Sequence, residues 1–314
     1  MSVDMSDDDW DRELIGVLKS FTEPGNDAYV PETNLIQEGE DIFTPDDVNH
    51  MSLVAADFSQ IEARCLAWLA GDKEKLDVFA RHEDVYVYAA KKIGSDNRQY
   101  GKVCELGLGF GMGWEKFIDT AKLLAGLQLG ETEAQMIVSA WRATNEPITR
   151  LWGDYQSAFR TLVDATPGKS IEAGSVRFER GKDAMGILLP CGKRRLIYRN
   201  PRLMEDDTGR KQVVYDGIHQ FTKHWGPVKT YGGKLAENIT QAMARDVMGY
   251  AMLALDRERI DLRLTVHDEI VSLALDENAK GVLNTMLRVM RTPPAWAPDL
   301  PVWAEGWVSK RYRK

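Results

Sequence analysis

The chain has 314 residues, a formal net charge of -8, and 44% hydrophobic and 28% charged residues, the make-up of a globular protein of one or two domains. Three widely spaced cysteines, Cys65, Cys104 and Cys191, offer neither a disulfide framework nor metal-ligand spacing, so a reducing, cytoplasmic setting is expected. No apolar run is long enough to span a membrane, and the acidic start from Met1 to Trp10 lacks the apolar core of a signal peptide, so no membrane partner is expected.

Residues 1–50 read as an acidic arm. Trp10, Leu14, Ile15, Val17 and Leu18 suggest one short helix, followed by loop at Pro24-Gly25-Asn26, Pro31 and Pro45-Asp46-Asp47. Leu53 to Ala56 is an apolar run too short for a helix face but suited to a buried strand. It runs into Asp57. Ser59 and Glu62 then have the spacing of a capping box, and Ile61, Cys65, Leu66, Leu69 and Ala70 repeat at helical intervals. Asp57 is therefore expected at the end of a buried strand, where a rigidly held carboxylate can face a ligand. The alternative is an acid that merely caps a turn.

Lys73 to His82 and Val85 to Ile93 read as helices, broken by Gly94-Ser95-Asp96 before a helix that carries Arg98. Positions 98, 102, 106 and 110 are four apart, so each drifts only ~40° around a helix and the four form one slanting stripe. Arg98 and Lys102 then point the same way, either toward a ligand or as two solvated cations on an amphipathic helix. Five glycines (Gly101, Gly107, Gly109, Gly111, Gly113), each costing ~1 kcal/mol in a helix interior, suggest a segment that bends or moves.

An apolar helical pattern runs from Glu131 to about Thr166, with a break or kink at Pro147. Val176 to Arg180, Met185 to Leu189 and Arg195 to Tyr198 read as strands, with a turn at Pro190-Cys191-Gly192-Lys193. A long helix begins near Tyr231-Gly232-Gly233-Lys234 and reaches about Asp256. Lys234, Asn238, Gln241 and Arg245 share one of its faces, either as a polar stripe for a nucleic acid groove or as the wet side of an ordinary amphipathic helix.

Leu262 to Leu275 reads as a hairpin with His267-Asp268-Glu269 at its tip. Adjacent carboxylates repel, and each seeks solvent or a cation. A second carboxylate facing Asp57 would make a site for Mg²⁺ or Mn²⁺. Asn278 to Arg291 looks helical, and Pro301 to Val308 a last strand. The strands near Val54, Leu264, Val271 and Val302 can form one mainly antiparallel sheet with helices on one face, an α+β fold. The basic clusters Lys193-Arg194-Arg195, Arg199 with Arg202, and Lys310 to Lys314 are either DNA contacts or solvated surface. The net acidity implies weak DNA affinity without help.

Asp57-Phe58-Ser59-Gln60-Ile61-Glu62-Ala63-Arg64 resembles the first catalytic motif of the family A DNA polymerases, and Val266-His267-Asp268-Glu269 resembles their last. Arg98-Gln99-Tyr100-Gly101-Lys102 through Leu106-Gly107 to Phe110-Gly111 resembles their nucleotide-binding helix. The three occur in the family's order, from about residue 50 to the end, and are closest to its phage-encoded branch. The resemblance implies a polymerase palm, mainly antiparallel sheet backed by helices, at 51–75 and 166–314, with a basic strand-rich insert near 170–230. It implies an inserted helical fingers subdomain at 76–165, and there is no room upstream for thumb or exonuclease.

The implied activity is addition of deoxynucleoside triphosphates to a primer-template. Two Mg²⁺ ions, or Mn²⁺, would be held by Asp57, Asp268 and the carbonyl of Phe58, with Glu269 a secondary acid and Lys102 protonating pyrophosphate. Phe58, Ser59, Gln60, Ile61, Glu62, Arg98, Lys102, Leu106 and Phe110 would bind nucleotide. Arg64, Lys234, Asn238, Gln241 and His267 would meet DNA, with Arg64 also bracing the site. Glu62 fills the space of a ribose 2′-hydroxyl, which argues against a single-subunit RNA polymerase. Three departures stand out. Leu106 replaces an aromatic, Phe110 lacks a tyrosine hydroxyl that could bond Glu62, and no arginine lies between Arg12 and Arg64. The chain is expected to be a catalytic fragment in phage replication in the host cytoplasm. It would be one half of a split polymerase, with a separate polypeptide supplying thumb and exonuclease and docking on the acidic arm, or else work alone with low processivity. The alternative is a non-catalytic DNA-binding remnant or accessory subunit, which would have no need of both acids, Arg98 and Lys102.

Overall fold

The computed structural model describes residues 50–206, 208–219 and 222–312. The acidic arm and its expected helix lie outside those residues, as do Arg313 and Lys314. In chain order the elements are β1 (Met51–Phe58), α1 (Ile61–Ala70), α2 (Lys73–Ala80), α3 (Val85–Lys92) and α4 (Arg98–Gly107). A 3-10 turn (Leu108–Phe110) precedes α5 (Trp114–Ala125), α6 (Glu131–Thr144) and α7 (Glu146–Val163). Then come β2 (Ser170–Ala173), β3 (Val176–Arg180), β4 (Ala184–Leu188), β5 (Arg195–Glu205), β6 (Lys211–Ile218), β7 (Trp225–Thr230) and α8 (Gly232–Arg257). The chain closes with β8 (Leu262–Val266), β9 (Glu269–Leu275), α9 (Asp276–Met290) and β10 (Ala304–Ser309).

Two antiparallel sheets organise the molecule. The first has the order β10-β1-β9-β8, so a strand near residue 54 is flanked by strands from the last fifty residues. On β1, Val54, Ala56 and Phe58 point into the main core with Ile270, Met286, Met290 and Ala304. Taken out of water, each of the larger of these, the Val, Ile, Met and Phe side chains, contributes ~1.5–3 kcal/mol. Alternation along the strand sends Leu53, Ala55 and Asp57 to the other face. The second sheet is a six-stranded meander, β2 to β7 in sequence order. Its inner face packs Phe178, Met185 and Tyr198 against Tyr155 and Phe159 of α7.

Local chemistry sets the helix starts. Asp72, Asp84 and Asn97 accept from the first-turn amides of α2, α3 and α4. Pro147 lies in the first turn of α7, where its missing N–H costs nothing, so the expected kink is a clean junction between α6 and α7. The expected Ser59–Glu62 capping box is not formed. The Ser59 N–H bonds instead to the Trp303 carbonyl at 2.9 Å, which keeps it in the sheet, and Gln60 caps α1 with φ of 53° and no side-chain bond. Glu62 thus stays in the first turn, where an anion suits the helix dipole. The helix with Arg98 also ends sooner than its stripe implies. It tightens to 3-10 geometry at Leu108 and turns at Gly111, so Phe110 does not continue the α-helical stripe. Helix α5 and strands β2, β6 and β7 had no clear sequence signal: glycines obscure the approach to α5, and β7 is a half-exposed edge strand containing Gly226 and Pro227.

Candidate active site

A cleft of ≈ 510 Å³ lies where the end of β1, the start of α1, α4 with its 3-10 turn, the middle of α8 and the β8–β9 turn converge. The strand end and the hairpin turn are tied directly, because the Phe58 N–H donates to the Asp268 carbonyl at 3.2 Å. Asp57 therefore sits beside the turn that carries Asp268, and both line the cleft. The turn is tight enough to hold His267 at φ of 56°, a conformation that costs a non-glycine residue energy. In register, Asp57 faces Glu269 on β9 and Glu305 on β10. Directly opposed residues share a face, so three acids stand in a row across three strands on the side away from the core.

Of the residues singled out in the sequence, Asp57, Phe58, Ser59, Gln60, Ile61, Glu62, Leu106, Phe110, Gln241, Arg245, His267 and Asp268 line this one cleft. Leu106 is 49% exposed there. Glu62 and Gln241 meet in its wall: burial raises the Glu62 pKa, a hydrogen bond from Gln241 opposes that rise, and the charges of Glu237 and Asp268 add to it. Phe110 is fixed from behind. The Trp152 indole donates to the Gly109 carbonyl at 3.0 Å, and α8 starts so close that a Cβ on Gly233 would lie 2.4 Å from the Phe110 oxygen. Gly232-Gly233 is thus a packing requirement of the helix start.

The remaining residues lie outside the lining. Arg98 donates to Asp84 at 2.6 Å and stacks over Tyr86. Lys102 is half-buried on α4. Glu269 is 3% exposed. Its Oε1 has no hydrogen-bond partner among the described residues, and Tyr312 donates to its carboxylate. Arg64, expected at DNA, is 4% exposed and bonds the carbonyls of Ser59 and Pro301 while stacking on Phe79, so it braces the strand end from within. Burial lowers its pKa to about 10, which leaves it charged at neutral pH. The α8 stripe divides. Gln241 and Arg245 face the cleft, Lys234 pairs with Glu237, and Asn238 donates to the Tyr198 hydroxyl. Burial pushes both Cys65 and Cys104 up, the latter to about 12, so neither thiol is reactive at neutral pH.

Sequence reasoning passed over Lys75, Tyr86, Glu105, Trp141 and Met248, which also line the cleft. A signal for Lys75 was there: it lies three and four residues before Val78 and Phe79, on the apolar face of α2. No helix among the described residues is long and apolar enough to cross a membrane.

Comparison with known proteins bears on the same region. A family model described as DNA polymerase family A matches residues 28–161. A DNA polymerase of Bacillus phage SP02 is 36% identical over 285 residues, covering 87% of this chain and 42% of that protein. DNA polymerase I of Aquifex aeolicus (strain VF5) is 24% identical over 296 residues, covering 90% of this chain and 42% of its own length. The chain thus spans about two fifths of the length of these curated relatives. The POL domain of Pol1 from M. smegmatis, solved in complex with DNA primer-template and dNTP, shares the fold with a TM-score of 0.53 and 17% identity, over 82% of this chain and 39% of that one.

Proposed function

The chain is a relative of the family A DNA polymerases, and from that premise we propose that it adds deoxynucleotides to a primer 3′-hydroxyl under the direction of a template. The observation that carries this reading is the single cleft shared by Asp57, Asp268, Glu62, Leu106 and Phe110, which come from five separate elements. In it, Leu106 packs on the deoxyribose and the face of Phe110 meets the base. Glu62, held by Gln241, stands where a 2′-hydroxyl would go. Arg98 would exchange Asp84 for a phosphate, and Lys102 would protonate the leaving pyrophosphate. His267 and Gln241 would touch the primer end. Residues 51–75 and 166–314 would be the palm, 76–165 the fingers, and the meander near 170–230 an insert in the palm.

The donor set fits divalent metal. Asp57, Asp268 and the Phe58 carbonyl are hard oxygen donors at one rim of the cleft. Mg²⁺ is typically held by one or two carboxylates and completed by water and substrate phosphates. Among the described residues no group of three or more His, Cys, Asp or Glu side chains is gathered for a metal, so substrate and water would supply the other ligands. When bound, a pair of such ions acidifies the 3′-hydroxyl and neutralises the triphosphate.

Primer extension by the purified chain, with Mg²⁺ and all four dNTPs, tests the reading. Extension is expected for the wild type and loss of at least a hundredfold for Asp268→Ala, by analogy with removal of other electrostatic stabilisers of a transition state, ~10²–10³. Undiminished extension by Asp268→Ala refutes the site. A phage origin and a split arrangement, with a second polypeptide supplying thumb and exonuclease, extend the same proposal. Adding that polypeptide should lengthen products without changing the requirement for Asp268.

A further inference from the structure

The floor of the cleft holds a charge pair that no step above uses. Lys75, on α2, is 1% exposed. Its Nζ lies 2.8 and 3.0 Å from the two carboxylate oxygens of Glu105 on α4, and 3.0 Å from Oδ1 of Asn145 at the α6–α7 junction. The Trp141 ring lies 5.8 Å away, and the Asn145 amide is itself fixed by donating to the Trp141 carbonyl at 2.9 Å. The side chains of Lys75 and Glu105 are 2% and 4% exposed. An ammonium has three protons to donate, and three acceptor oxygens surround this one. The cluster is therefore closed to a ligand, and whatever it contributes to the cleft acts through the helix it holds.

That helix is α4. Gly101 and Glu105 are one turn apart on nearly the same face. Gly101 is pressed against the α3 backbone, where an added Cβ would fall 1.8 Å from the Tyr86 oxygen. Glu105 is clamped to α2 by Lys75. Two successive turns of α4 are thus keyed to two different helices, which fixes its rotation as well as its height. Leu106 follows Glu105 by one residue, ~100° around the axis, and projects into the cleft. A buried ion pair is a weak source of net stability compared with apolar packing, so what this one offers is the directional tie between α2 and α4.

We propose that Lys75 is a positioning residue for the incoming nucleotide, its clamp on Glu105 setting the rotation of α4 and with it the reach of Leu106 and Lys102. This rests on the polymerase reading. The test is single-nucleotide incorporation with active-site-titrated protein, comparing wild type, Lys75→Met and the double variant Lys75→Met/Glu105→Leu. Both variants should raise the KM for dNTP at least tenfold, with the primer-template Kd within twofold of wild type. The double variant, which leaves no buried unpaired charge, should regain the thermal midpoint that Lys75→Met loses while keeping the raised KM. It also decides the matter if the single variant does not fold. A KM within twofold of wild type in the double variant overturns the proposal, as does a primer-template Kd that rises in step with KM. If the wild type extends no primer, the polymerase reading fails, and amide exchange decides the anchoring. Exchange over residues 103–107 should then be tenfold faster in the double variant with β9 unchanged, and equal exchange overturns it.

Discussion

Gly101→Ala tests the crossing of α3 and α4 without reference to any activity. An ideal Cβ at this position lies 1.8 Å from the Tyr86 oxygen, 2.7 Å from the Ala90 nitrogen and 2.9 Å from the Tyr86 carbonyl carbon. Carbon–oxygen contacts settle at ~3.3–3.6 Å, so the helices must part by about 1.5 Å. All three obstacles are backbone, and no change of rotamer absorbs the overlap. Overpacking of this kind costs ~1–3 kcal/mol, and rigid neighbours put the change at the upper end. The better helix propensity of alanine returns ~1 kcal/mol, leaving a net loss of ~2 kcal/mol. For a chain of this size that lowers the unfolding midpoint by ~3 °C. Gly249, in α8, is the control, because a Cβ there meets no atom within 4 Å. Gly249→Ala should gain ~1 kcal/mol. Thermal and urea unfolding followed by circular dichroism measure both. If Gly101→Ala proves as stable as Gly249→Ala, the close crossing, and with it one of the two keys that orient α4, is wrong.

Glu62→Gln should change how stability depends on pH. Burial raises the Glu62 pKa in the folded chain. A raised carboxyl contributes stability that is fully present below its unfolded value and lost as pH rises through the folded one. Urea midpoints of variant and wild type should therefore draw together at low pH and separate in the variant's favour at neutral pH; parallel curves would remove burial as the cause. Glu62→Ala should cost roughly tenfold or more of the preference for dATP over ATP in single-nucleotide incorporation, and an unchanged ratio would show that the 2′ position is read elsewhere. Asp206 is held down to about 2 by hydrogen bonds from the Thr208 hydroxyl, the Arg210 and Thr208 amides and the Gln212 side chain. Its contribution is present above the ordinary carboxylate range and lost as pH falls through about 2, so its carboxyl carbon should titrate there by NMR. A midpoint of about 4 would mean that the turn is not formed. Glu305→Gln removes one of three acids aligned across β10, β1 and β9, and should raise the unfolding midpoint at low salt. The gain should fade in roughly 1 M salt, and a salt-independent gain would point to packing.

Much of the scaffold was legible because its signals are local. The apolar run before Asp57, the hairpin around Asp268 and the 3.6-residue periodicity of α8 each reside in one stretch of sequence, and each became the element expected. The clustering of Asp57, Leu106 and Asp268 was legible only through the order of three motifs, since nothing local says that β1 lies between β10 and β9. What stayed hidden depends on partners remote in sequence. The apolar face of α2 could flag Lys75 as buried, but nothing local names its partners, Glu105 and Asn145, 30 and 70 residues away. Ser59 reads as a helix cap until the Trp303 carbonyl claims its amide. Arg64 reads as a DNA contact until Pro301 and Phe79 enclose it.

The basic clusters follow the same logic, and they bear on how an acidic chain could hold DNA. Arg194 is bound to Asp246 and the Ala242 carbonyl, Arg195 to Glu179, Arg202 to Asp216 and Lys310 to Asp276. Arg98, on α4, is bound to Asp84. Most of these pairs are partly exposed, and such pairs contribute only ~0–1 kcal/mol each. A phosphate that displaces the carboxylate exchanges one anion for another at little net cost, and it meets a guanidinium already extended and oriented. The pairs confine the field of each cation to short range. At the cleft itself, Asp57 and Asp268 would repel a polymer of phosphates unless divalent cations come with the substrate.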